Sequence, residues 1–136
     1  IGDALNVLFG APAEQPDHAA RAIACAMDLD AHAQAFCLRW AGNGVSVGHT
    51  RIGVNTGSAL VGSFGGGRFF DYTAYGDTIN IAARLEAANK QLGTRVCVSE
   101  AVVAQVPMPR RPCLCHLPIT ARLLPTLSER AEQVER

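Results

Sequence analysis

Glycine and proline divide this chain unequally, and that punctuation constrains its fold more than any other feature. All thirteen glycines lie at or before Gly93, and five of the seven prolines lie between Pro107 and Pro125. Up to Val106 the backbone can turn tightly between regular elements. Beyond it, proline removes backbone donors and interrupts helical periodicity. The sequence therefore reads as one domain over residues 1–106, followed by a divergent, proline-rich, irregular tail over residues 107–136. A chain of 136 residues is long enough for one domain with its own core.

Within the first part, apolar spacing assigns the elements. Residues 4–9 alternate as a strand, ended by Gly10-Ala11-Pro12. Asp17 is placed to cap a helix whose stripe is Ala19, Ala22, Ile23, Ala26 and Met27, running to about Trp40 before Gly42-Asn43-Gly44 breaks it. Residues 50–56 set Ile52, Val54 and Thr56 against Arg51, Gly53 and Asn55. With residues 58–64 they predict a hairpin turning at Thr56-Gly57, and Gly65-Gly66-Gly67 predicts a flexible loop leaving it. Asp77 is placed to cap a helix from Thr78 to about Lys90, ending near Gly93. Ile81, Leu85 and Ala88 form its inner stripe, and Glu86 and Lys90 are spaced to pair on its wet side. A short strand over 94–98 and a helix over 100–106, capped by Ser99, complete the order. The pattern is α+β, an antiparallel sheet carrying helices on one face. It is most of a ferredoxin-like βαββαβ arrangement without an opening strand.

Composition excludes several functions. Twelve basic and twelve acidic residues balance, so no bulk field draws nucleic acid or an anionic membrane. No signal peptide is visible and no apolar run approaches the ~20 residues that span a bilayer. The chain opens Ile1-Gly2-Asp3 inside an apolar pattern, which reads as a soluble piece of a longer protein. Five cysteines at irregular spacing do not make a disulfide framework, and Cys113-x-Cys115-His116 lacks a second ligand pair at zinc spacing. Reduced thiols in a cytoplasmic protein are expected.

Chemistry concentrates in Arg68 to Glu86. Asn80 and Arg84 stand four apart, beside the apolar stripe and outside it. An amide and a guanidinium projecting together suit a site that orients a hydroxyl and neutralises a phosphate. By itself this spacing is common on solvated helix faces.

It does not stand by itself. The chain closely resembles the class III nucleotidyl cyclase catalytic domain over residues 1 to about 106. The resemblance rests on four blocks in order: Ile1-Gly2-Asp3-Ala4 through Phe9-Gly10-Ala11-Pro12; Asp17-His18-Ala19 with Ala22; Arg51-Ile-Gly-Val-Asn-Thr-Gly57 with Val61-Gly62; and Asp71-Tyr-Thr73 through Gly76-Asp77 and Asn80-Ile-Ala-Ala-Arg-Leu-Glu86. It implies conversion of a nucleoside triphosphate, read as ATP, to a 3′,5′-cyclic nucleotide and pyrophosphate for signalling. It implies two divalent metal ions, Mg²⁺ or Mn²⁺, with Asp3 matching the second of two metal aspartates. Asn80 matches the residue that orients the ribose, Arg84 the one that stabilises charge on the α-phosphate, and Thr73 the one that reads the purine. It also implies a homodimer whose two sites form between subunits, with any sensor or membrane segment in the parent sequence only.

The departures are as specific. No residue matches the first metal aspartate, which belongs to an opening strand, or the purine-reading lysine before Ile1. The phosphate-holding Lys-Gly pattern is not found in Arg111 to Arg122, and nothing singles out Arg110, Arg111 or Arg122 as a substitute. Lys90 is the only lysine. An inactive isolated stretch is therefore expected. The alternative reading is a cyclase-homology module, without catalysis, that serves dimerisation or regulation. An unrelated ferredoxin-like domain binding ligand or nucleic acid is the weakest reading.

Overall fold

The computed structural model describes residues 4–66, 68–106 and 114–117. The elements are α1 (His18–Ala41), β1 (Ile52–Val54), β2 (Leu60–Gly66), β3 (Phe69–Tyr75), α2 (Asp77–Leu92), β4 (Val96–Ser99), α3 (Glu100–Val103) and β5 (Leu114–Leu117). Asp3 and most of the proline-rich tail lie outside the described residues.

The α+β class holds, and the pairing differs from the sequence expectation. β1, β4 and β5 form a three-stranded sheet in the order β1-β4-β5, with both ladders parallel. β2 and β3 form a separate antiparallel ribbon, Leu60 opposite Tyr75 and Gly66 opposite Phe69. The hairpin expected from residues 50–56 and 58–64 does not form. The segment between them is instead tied to the start of α2. Asn55 Nδ2 donates to the Thr78 carbonyl at 3.0 Å, and Thr78 Oγ1 donates to the Ser58 carbonyl at 2.6 Å. β1 is left to pair with β4, and Gly65 and Gly66, expected in a loop, extend β2.

Helices also cover both faces of the sheet. Ile52, Val54, Val96 and Val98 alternate onto one face, where Val54, Val96 and Val98 join Ile23 and Ala26 of α1 and Val102 of α3 in the core. Gly53 and Cys97 point to the other face, beneath α2. All four β4 residues are buried, as a parallel strand sandwiched between layers must be. This two-sided burial explains why Val96-Cys97-Val98-Ser99 is a continuous non-charged run.

Local expectations hold unevenly. Ser99 caps α3, its Oγ accepting from the Val102 N–H at 3.4 Å, and α2 ends at Gly93 in the left-handed conformation. Asp17 precedes α1, but its carboxylate accepts from Arg21 Nε at 2.8 Å and caps no backbone N–H. Gly76, not Asp77, is the residue before α2. Its φ of 137° is one that side chains rarely adopt, and it lets β3 turn into the helix with no intervening loop. Residues 4–8 form no strand. No described strand pairs with them, and Leu5 and Val7 are exposed. The irregular tail is corrected at Leu114–Leu117, four residues between Pro112 and Pro118 that keep their N–H donors and pair with β4.

Candidate functional site

The candidate site is built on α2, and α2 is fixed from below. Leu85, Ala88 and Asn89 are buried on its inner side. Midway along, the helix rests directly on β1. A Cβ at Gly53 would overlap backbone atoms of Ala82 and Glu86, so only glycine permits this approach. Towards the C-terminal end, the buried Asn89 amide donates to the carbonyls of Ile52, Leu85 and Glu86 at 3.0–3.2 Å. Its Oδ1 accepts from the Thr94 hydroxyl at 2.8 Å. With the Asn55–Thr78–Ser58 contacts at its start, α2 is held at both ends and in the middle.

Asn80 and Arg84 are exposed on the outer side of this helix, one turn apart. Neither side chain makes a hydrogen bond or ion pair among the described residues. They share a rigid support and present an amide and a guanidinium to the same space. Such a pair can orient a hydroxyl and balance phosphate charge without first breaking an internal contact.

Thr73 sits on the ribbon, half-buried, three residues before Gly76. Its register partner is Gly62, so no cross-strand side chain stands opposite it. The Phe64 and Tyr75 rings share that face and meet edge-on, with centroids 4.6 Å apart. A Cβ at Gly62 would lie 3.8 Å from the Phe64 ring. The threonine hydroxyl is thus set beside an aromatic pair. The sequence showed no sign of that pair, because Phe64 and Tyr75 are eleven residues apart on strands whose register it did not reveal.

Asp3 lies outside the described residues, and these contain no cluster of three or more His, Cys, Asp or Glu side chains suited to a cation. The expected Glu86–Lys90 pair is also corrected. Glu86 Oε1 accepts from Arg51 Nε of the neighbouring segment at 2.8 Å, and Lys90 makes no ion pair among the described residues. Arg51 reaches it because α2 lies so low on β1. Sequence reasoning also missed the positioning roles of Gly53, Asn55 and Asn89. A glycine inside an apolar strand was the available signal for close approach.

Comparisons with known proteins identify the family. Residues 1–110 match the adenylate and guanylate cyclase catalytic domain. The chain belongs to that family. It is 42% identical over 104 residues to adenylate cyclase 1 of Rhizobium meliloti (strain 1021), covering 76% of this chain and 16% of that protein. It is 36% identical over 89 residues to an adenylate cyclase of Mycobacterium tuberculosis, covering 65% of this chain and 19% of that protein. An adenylate cyclase of Anabaena cylindrica is 35% identical over 65 residues, covering 48% of this chain and 12% of that protein. The chain thus spans under a fifth of the length of these relatives. No helix among the described residues is long and apolar enough to cross a membrane.

Proposed function

We propose that this chain is part of the catalytic domain of an adenylate cyclase, which converts ATP to 3′,5′-cyclic AMP and pyrophosphate. The observation that carries the reading is the placement of Asn80 and Arg84. Both are exposed on one face of a helix pinned to the sheet, with no competing partner among the described residues. The relatives' names support ATP over GTP.

In the proposed reaction the ribose 3′-hydroxyl oxygen bonds to the α-phosphorus while its proton passes to solvent, the bond to the bridging oxygen breaks, and pyrophosphate leaves. Asn80 hydrogen-bonds the ribose and holds the attacking oxygen in line. The Arg84 guanidinium faces the oxygens of the α-phosphate, where negative charge accumulates, and its fixed support means little reorganisation is needed. The Thr73 hydroxyl accepts a hydrogen bond from the adenine amino group. Two divalent cations, Mg²⁺ or Mn²⁺, belong to the proposal through Asp3 and would lower the charge of the triphosphate. The finer architecture is likewise proposed: a ferredoxin-like arrangement completed by an opening strand, in a homodimer where Asn80 and Arg84 of one subunit face the aspartates of the other.

The test is cyclic AMP formation from ATP with Mn²⁺, using the reading frame together with whatever is encoded before Ile1. Turnover is expected, and Arg84→Ala should lower it by about 10²–10³. Equal turnover in the variant overturns the role of Arg84. The 136 residues alone are expected to be inactive, and measurable product from them would overturn that expectation.

A further inference from the structure

Outside the candidate nucleotide site, two thiols are brought together by strand register. Cys97 of β4 and Cys115 of β5 are direct partners in a parallel ladder. Neighbouring strands run about 4.8 Å apart. A disulfide spans Cα separations of about 4.4–6.8 Å, so the spacing suits one. Register partners project to the same face, here the one covered by α2. Cys97 is fully buried and Cys115 is half-buried, with the Thr94 hydroxyl 3.4 Å from its sulfur. Cys25 and Cys37, by contrast, stand on the single helix α1, roughly 18 Å apart along its axis, and cannot bridge each other.

We propose that Cys97 and Cys115 are an oxidation site, closing into a reversible disulfide across the β4–β5 seam. The two thiols are unequal in a way that fits this chemistry. The Cys97 thiol, donating towards Cys115, holds Cys115 down to about 7. Cys97 itself is pushed well up by that same contact and by burial. Cys115 is therefore the attacking thiolate near neutrality, and Cys97 the resolving thiol. With hydrogen peroxide as oxidant, the Cys115 thiolate bonds to one oxygen and the O–O bond breaks. The departing hydroxide takes a proton and becomes water, leaving a sulfenic acid on Cys115. Cys97 then loses its proton and its sulfur bonds to the Cys115 sulfur. The S–O bond breaks, and hydroxide leaves with that proton as the second water. Two thiols give up two electrons and peroxide takes them. The site is independent of the nucleotide chemistry, because neither thiol belongs to the Asn80–Arg84 face.

The test is disulfide mapping of the whole 136-residue chain carrying Cys113→Ser, since trypsin leaves Cys113 and Cys115 together in residues 111–122. The reduced protein is treated with hydrogen peroxide, free thiols are blocked with iodoacetamide, and peptides are analysed without reductant. The expected product is residues 96–110 joined to residues 111–122, lighter than their sum by two hydrogens and separated by dithiothreitol. Before oxidation, alkylation of Cys115 should rise with pH to half its maximum near pH 7. In Cys97→Ser, Cys115 should instead stop at a sulfenic acid that dimedone traps. Recovery of Cys97 and Cys115 as separate alkylated or over-oxidised peptides overturns the proposal. So does a Cys113–Cys115 bridge, in place of Cys97–Cys115, in the chain with all its cysteines. If Cys97→Ser does not fold, mapping in the Cys113→Ser chain still decides.

Discussion

The three-stranded sheet and the β2–β3 ribbon are built from similar apolar residues and end up in opposite conditions. In the sheet, every residue of β4 is buried and helices close both faces. In the ribbon, Leu60, Tyr72 and Tyr75 are half or more exposed, and only Ala74 among the described side chains is buried. The sheet carries no residue of the proposed cyclase chemistry, whereas the ribbon carries Thr73 and leads into α2. The contrast separates support from site, and α2 joins them: its inner side belongs to the sheet and its outer side holds Asn80 and Arg84.

That division predicts where substitutions act. The largest effect is expected at Arg84. Arg84→Ala should reduce cyclic AMP formation about 10²–10³-fold while leaving the urea midpoint unchanged, since its side chain supports nothing among the described residues. A lowered midpoint would show that the outer side of α2 is structural after all. Next comes Gly53→Ala, one methyl group beneath α2. The helix backbone must lift, at about 3 kcal/mol, and equilibrium unfolding should report the loss in full. An unchanged stability would mean that α2 does not rest where it is described. Smaller again is Thr73→Val, which keeps the shape of the ribbon and removes the hydroxyl. About 1 kcal/mol, or roughly fivefold, should be lost from the preference for ATP over GTP. Equal preference before and after would detach Thr73 from base reading. The smallest is Arg51→Ala. Its ion pair with Glu86 is open to water, and only about 0.5 kcal/mol should disappear from the unfolding free energy. A much larger loss would make this pair, alongside Gly53, a principal anchor of α2.

The helices were legible because their signals are local. The stripe from Ala19 to Met27 and the stop at Gly93 need only neighbours in sequence. Strand pairing was not legible, because β1 and β4 meet across more than forty residues and nothing in Ile52-Gly53-Val54 names its partner. Alternation of apolar residues predicted a strand there, and closeness in sequence led to an antiparallel hairpin with residues 58–64, whereas alternation itself carries no sign of strand direction. β5 was hidden by the prolines on either side of it. At the site, Asn80, Arg84 and Thr73 were picked out by the resemblance. The residues that hold them in place, Asn89 above all, were not. A buried amide that binds three carbonyls looks in sequence like any polar residue on a helix.

The bare seat at Gly53 has one further consequence. Where a helix packs through side chains, its position drifts whenever those side chains exchange one rotamer or one size for another. Here two main chains touch, and main chains have no rotamers. The stand-off between α2 and β1 is therefore insulated from variation in the rest of the core. Neighbouring apolar positions can change without shifting the two polar groups that α2 carries on its far side.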